Sequence, residues 1–212
     1  MPTEVSVSRL LIARHGETEA NAAGRYMGHS DSPLTPRGLG QVNRLAERLA
    51  KTSADALYAS DLPRAAQTAQ MIGDRCGLSV RLDERLRERD IGILQGLTDE
   101  EARAEHPDVF RQLDSLSIDY AIPGGESASV FRARLAGFLA DFTPSEDGGP
   151  VLLVAHGGVA RCLLWHLLDI PYRASRWARS DNTSVTAFAW KHGAWALERW
   201  NDAAHLDGDL IG

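Results

Sequence analysis

Val151-Leu152-Leu153-Val154-Ala155, followed at once by His156-Gly157-Gly158 and an apolar run to about Leu168, decides the fold. Five consecutive apolar residues with no polar alternation suit a strand covered on both faces, the setting of a central parallel strand. After the glycine pair a helix is expected. A parallel neighbour of such a strand is reached only through a long crossover, so strands and helices should alternate along the chain.

Working outward, Val7 to Ala13 predicts a second buried strand that runs into a loop rich in Gly, Thr and Asn. Thr35 to Lys51 repeats apolar residues at helical spacing, with Thr35 as N-cap and Pro36 at the first helical position. Ala54 to Ala59 reads as a strand, and Ser60-Asp61-Leu62-Pro63 as the start of a helix from Arg64 to Cys76 that Gly77 closes. Ser79 to Leu82 reads as a short strand. Thr98 to Pro107 and Ser127 to Phe142 predict helices, with a break at Ile122-Pro123-Gly124-Gly125 between them, and Thr143 to Pro150 a polar surface loop. Ser184 to Trp190 and Ala194 to Trp200 form a hairpin through Lys191-His192-Gly193. The expected fold is an α/β three-layer sandwich: a mainly parallel central sheet, helices on both faces, and a small helical cap at about 98–127. All of it falls within a single domain, residues 1–212.

With 43% hydrophobic and 25% charged residues the chain has the composition of a folded globular protein. A net charge of -6 argues against nucleic acid or an anionic membrane as partner. Met1 to Leu10 lacks a basic segment followed by a long apolar core, and no run reaches membrane-spanning length, so the cytoplasm is expected. Cys76 and Cys162 are unpaired in sequence and read as two buried thiols rather than zinc ligands or a disulfide. Trp165, Trp177, Trp190, Trp195 and Trp200 crowd the last third and read as packing, with a homo-oligomer interface as a second use.

In such sheets ligands sit beyond the carboxyl ends of the strands. Three chemically competent groups fall at predicted strand ends: Arg14-His15, the Ser60 to Arg64 segment, and His156. A histidine held at a strand end, with Gly16 letting the chain turn, presents an imidazole that can attack phosphorus, while the planar cation of Arg14 suits phosphate oxygens.

Leu11-Ile12-Ala13-Arg14-His15-Gly16-Glu17-Thr18, with Asn21 beyond it, resembles the signature of the histidine phosphatase superfamily, which includes the cofactor-dependent phosphoglycerate mutases. Ser60-Asp61-Leu62-Pro63-Arg64-Ala65-Ala66-Gln67-Thr68-Ala69 is similar to that family's second block. Leu86-Arg87-Glu88-Arg89-Asp90-Ile91-Gly92, continuing to Gln95-Gly96, resembles the third, and Val154-Ala155-His156-Gly157-Gly158 the fourth. All four stand in the family's order and span most of the chain.

The resemblance implies a small-molecule phosphate monoester as substrate and a phosphohistidine on His15. Arg14, Arg64 and His156 would offset the charge of the dianion, and Glu88 would serve as general acid and base, a carboxyl raised by partial burial. Asn21, Gly28 and Gly157 would line the phosphate or substrate site. Two helix N-termini, at Arg64 and at Gly157-Gly158, also favour an anion. His29, His106, His166, His192 and His205 match no block and read as surface or core-edge residues.

No metal is expected: an H-E-x-x-H pattern is absent, and cations flank the motif histidines. A serine hydrolase fails because residue 129 is Ser where a nucleophile elbow after Gly125-Glu126-Ser127 needs Gly. A non-catalytic relative would have lost one of the five charged groups, and all five are present. Between hydrolysis and transfer, Thr98 to Ser127 is short and mostly acidic, with Arg103 and Arg111 its only cations, and Pro123-Gly124-Gly125-Glu126-Ser127 resembles a string of the family's phosphatases. Hydrolysis without a cofactor is therefore the expectation. Glu88 to Gly96 leans toward the mutases' wording, so phosphoglycerate mutase is the alternative, and only then is 2,3-bisphosphoglycerate needed for priming.

Overall fold

The computed structural model describes residues 5–206. Its elements are β1 (Val5–Arg14), α1 (Glu19–Ala22), α2 (Pro36–Leu49), β2 (Ala56–Ala59), α3 (Pro63–Cys76), β3 (Val80–Leu82), α4 (Asp99–Glu105), α5 (Pro107–Asp114), α6 (Ala128–Leu139), β4 (Phe142–Pro144), β5 (Gly149–Ala155), α7 (Gly157–Leu167), α8 (Tyr172–Arg176), β6 (Val185–Lys191) and β7 (Ala194–Asp202). The strands form one open sheet in the order β3-β2-β5-β1-β6-β7, with β4 beside the start of β1. Strands β1 to β5 pair in parallel; β6 runs antiparallel to β1 and β7 antiparallel to β6.

The apolar run of β5 is buried on both faces because side chains alternate across a strand. Leu152 and Val154, with Leu11 and Ala13 of β1, pack under Val42, Leu45 and Leu49 of α2 and Ala65, Ala69 and Ile72 of α3. Val151, Leu153 and Ala155, with Leu10 and Ile12, meet Phe131, Leu135 and Phe138 of α6 and Val159 and Leu163 of α7 on the other face. Each such Val, Leu or Phe contributes about 1.5–3 kcal/mol through burial.

Register sets the position of the chemistry. Arg14 lies opposite Ala155 and Ala59 opposite Val154, so β1, β2 and β5 end almost level. The chain continues that alignment for one more residue: the His15 amide donates to the Ala155 carbonyl at 3.0 Å and the Ser60 amide to the Val154 carbonyl at 3.0 Å. Residues 15, 60 and 156 consequently share one edge of the sheet.

Several local expectations are corrected. Thr143 to Pro150 is not all loop: Phe142–Pro144 pairs with Val5 to Val7, and β5 begins at Gly149. Phe142 buries its ring against Phe138 and Tyr58, which holds that short strand to the sheet. The helix expected over 98–107 is α4, which stops at Glu105, and Pro107 begins a second helix that was not expected. Pro107 opens α5 at its first position, where the missing N–H costs nothing. Helices α1 and α8 were not foreseen. Gly16 makes no left-handed turn; a Cβ there would meet Val42 Cγ2 at 2.7 Å, so it is required by the close approach of α2. Cys162 is buried as expected, whereas Cys76 is partly exposed.

Residues of the 98–127 region build a third small cluster, with Ala102, Val109, Phe110 and Ile122 gathered on Leu94. Among the described residues no helix is long and apolar enough to cross a membrane.

Candidate active site

His15 is 4% exposed and its ring is held from both sides. Its Nδ1–H donates to the Gly16 carbonyl at 2.8 Å, which leaves the lone pair on Nε2. Burial, together with the nearby cations Arg14 and Arg64, holds its pKa well below 6.5, so the ring is neutral near neutral pH. A buried neutral imidazole whose Nε2 keeps its lone pair has the chemistry of a nucleophile.

Arg64 enters from the first turn of α3 and is 2% exposed. Its Nε–H faces His15 Nε2 at 3.3 Å, and its two terminal nitrogens donate to the carbonyls of Gly28 and Ser30, each at 2.8 Å. Gly28 adopts a φ of +53°, and a Cβ there would meet Ile91 Cγ1 at 2.8 Å, so glycine is needed to aim that carbonyl. Gly28 lines the cavity, and in the structure its backbone orients Arg64.

Arg14 closes the opposite side, donating to the Ser180 carbonyl at 2.5 Å, with its buried Nε unpaired. Burial brings its guanidinium down to about 10, still a cation at neutral pH. His156 is the N-cap of α7 and fully buried; its ring meets that of His15 edge-on at 5.2 Å. Burial and the neighbouring His15, Arg64 and Arg14 depress its pKa well below 6.5. Its Nε2 lies 2.9 Å from Ser60 Oγ, and its Nδ1 is a buried atom without a partner.

Glu88 follows a short turn, Glu84–Leu86, and lines the same cavity. One carboxylate oxygen accepts the Gly158 amide at 2.8 Å and the other the Arg89 amide at 2.8 Å. Asn21 also lines it, but its Oδ1 accepts from Thr18 N and from Asn182 Nδ2, which leaves the Asn21 amide nitrogen as the group free to meet a ligand. Gly157 forms the first turn of α7 in the cavity wall.

All eight sequence-predicted residues are thus gathered at one edge. Asn182 was missed: its amide also donates to the His15 carbonyl at 3.0 Å, tying the His15 segment to the turn that precedes β6. No local pattern marks it. His29 is more than an edge residue, since its Nε2 contacts the Glu88 carbonyl at 2.8 Å.

The cavity measures about 480 Å³, well beyond a phosphate group, and extends from His15 toward α5 and α8. Charge counted from 98–127 alone understates it, because Arg25, Arg89, Arg161 and Arg176 reach the wall from other elements. Trp177, expected in packing, is 70% exposed at its rim, with the Arg176 guanidinium 5.0 Å from its ring.

The family model described as the histidine phosphatase superfamily (branch 1) matches residues 10–203. A protein of Enterobacter sp. (strain 638) named "Probable phosphoglycerate mutase GpmB" is 38% identical, covering 96% of this chain and 97% of the relative. Among solved structures, a mycobacterial glucosyl-3-phosphoglycerate phosphatase is 37% identical with a TM-score of 0.81, covering 92% of this chain and 100% of that one. The α-ribazole phosphatase of Shigella flexneri is 28% identical with a TM-score of 0.81, covering 92% and 96%. Four sequence blocks, one sheet edge that unites them and these matches agree: the chain belongs to the histidine phosphatase superfamily, branch 1.

Proposed function

We propose that the protein hydrolyses small phosphate monoesters through a phosphohistidine on His15. The observation that carries this reading is the His15 Nδ1–H bond to Gly16, which leaves the Nε2 lone pair of a neutral ring in a pocket lined by Arg14 and Arg64, with the buried His156 ring packed edge-on behind His15. Nε2 attacks phosphorus as the bond to the ester oxygen breaks, and Glu88 delivers a proton to the departing alkoxide. Glu88 then accepts a proton from water, whose oxygen attacks phosphorus while the P–Nε2 bond breaks, releasing inorganic phosphate. Arg14 and Arg64 offset the charge of the phosphoryl oxygens throughout.

Water as acceptor is supported by the solved relatives named as phosphatases and by a cavity wider than a glycerate needs. The second reading, transfer to another substrate oxygen, is favoured by the relative named as a mutase and by the extra arginines along the wall. Phosphate release across a monoester panel, run beside a mutase assay primed with 2,3-bisphosphoglycerate, decides between them. Release without net transfer is expected, with acid-labile phosphoprotein after a rapid quench. Efficient transfer with little release overturns hydrolysis. His15→Ala is expected to lose at least about 10⁴-fold in kcat; undiminished turnover removes the nucleophile.

A further inference from the structure

Ser60 stands behind the phosphate pocket, fully buried at the end of β2, with no reach to a substrate. Its hydroxyl has two neighbours among the described residues: the Leu62 amide, 3.3 Å away, and His156 Nε2, 2.9 Å away. The amide is a donor only. A serine hydroxyl carries one proton, and at 0% exposure water does not take it, so the acceptor left for that proton is His156 Nε2.

A neutral imidazole holds its single proton on one nitrogen or the other, and the partner of one nitrogen dictates the state of the other. If Nε2 accepts from Ser60, the ring proton sits on Nδ1, the buried atom that has no partner within the protein. An Nδ1–H is a donor that suits a phosphoryl oxygen. The opposite tautomer sets a lone pair against those oxygens and leaves the Ser60 proton without an acceptor, both of which cost free energy in a buried site.

We propose that Ser60 is a positioning residue that holds His156 in its Nδ1–H tautomer, making it a neutral hydrogen-bond donor to the phosphoryl group in the reaction proposed above. Its effect reaches the substrate only through His156. Arg14 and Arg64 then supply charge, and His156 supplies direction without adding a third cation beside the nucleophile.

The test uses the full chain labelled with ¹⁵N-histidine, with inorganic phosphate as the probe, and the variants Ser60→Ala, Ser60→Thr, His156→Asn and the double variant Ser60→Ala/His156→Asn. In the unmodified protein the ¹⁵N shifts of His156 should report a protonated Nδ1 and an unprotonated Nε2, with Nδ1–H responding to phosphate. Ser60→Ala should shift the ring toward the other tautomer and lower kcat about 10- to 100-fold, and Ser60→Thr should restore both. The Asn side-chain nitrogen mimics Nδ1 and has no tautomers, so Ser60→Ala should cost less than about twofold in the His156→Asn background.

An Nε2–H ring in the unmodified protein overturns the proposal, and that measurement needs no variant to fold. Equal losses from Ser60→Ala in both backgrounds overturn it too, since Ser60 would then act by shaping the loop. The tautomer is read independently of turnover, so a failure of the hydrolysis reading leaves this result interpretable.

Discussion

The two ends of the cavity are built in opposite ways. The phosphate end is assembled from strand termini and helix starts that β-sheet register holds level, and His15, Arg64 and His156 are each under 5% exposed. The far end is made of short helices, α4, α5 and α8, with rim residues such as Trp177 in solvent and one small apolar cluster beneath. In the proposed reaction the chemistry common to every substrate falls to the rigid part, and the contacts that vary with the alcohol fall to elements with little core of their own.

Three measurements sharpen that contrast. The largest effect is expected from Glu88→Gln, which keeps the acceptor oxygen and removes the proton: kcat should fall about 10²- to 10⁴-fold. Because the change is at the phosphate end, the loss should be similar for large and small monoesters. A loss confined to one class of alcohol breaks the division.

The next effect is on stability. Below 6.5 the unfolded chain protonates His15 and His156, but the folded chain resists because burial depresses both. Unfolding then takes up protons, so folded stability is full above 6.5 and falls as the pH drops beneath it. The slope should reach about 1.4 kcal/mol per pH unit for each histidine in denaturant titrations. His156→Asn should flatten it; an unchanged slope shows that the buried edge does not set acid stability.

The smallest effect is expected from Trp177→Ala at the rim. Global stability should change by less than about 0.5 kcal/mol, as for a surface side chain. KM should shift by up to about tenfold for bulky alcohols and stay unchanged for methyl phosphate, with kcat intact. A fall in kcat on every substrate would move Trp177 to the phosphate end.

Legibility in the sequence follows the same line. The strands and helices that carry the phosphate end are long or uniformly apolar, so periodicity, the caps Thr35 and Gly77 and the helix-opening Pro63 reveal them. Arg14, His15, Arg64 and His156 stand at the ends of such elements, whereas Glu88 lies in irregular chain and only the family resemblance marks it. Helices α5 and α8 are short, and Pro107 reads equally as a stop or a start until its partners are known. Asn182 lies 167 positions from His15, and only the antiparallel pairing of β6 with β1 brings it to that carbonyl.

The sequence by itself determined the alternation of strand and helix, the residues with the chemistry to handle phosphate, and the family they belong to, because each is written in contiguous residues. The tertiary structure alone decided how those residues relate. Level strand ends set His15, Ser60 and His156 side by side, Gly28 aims Arg64, and arginines from seven separate segments turn an acidic chain's pocket cationic. The physical reason is that sheet register and close packing act between residues far apart in the chain, where no local pattern records the contact.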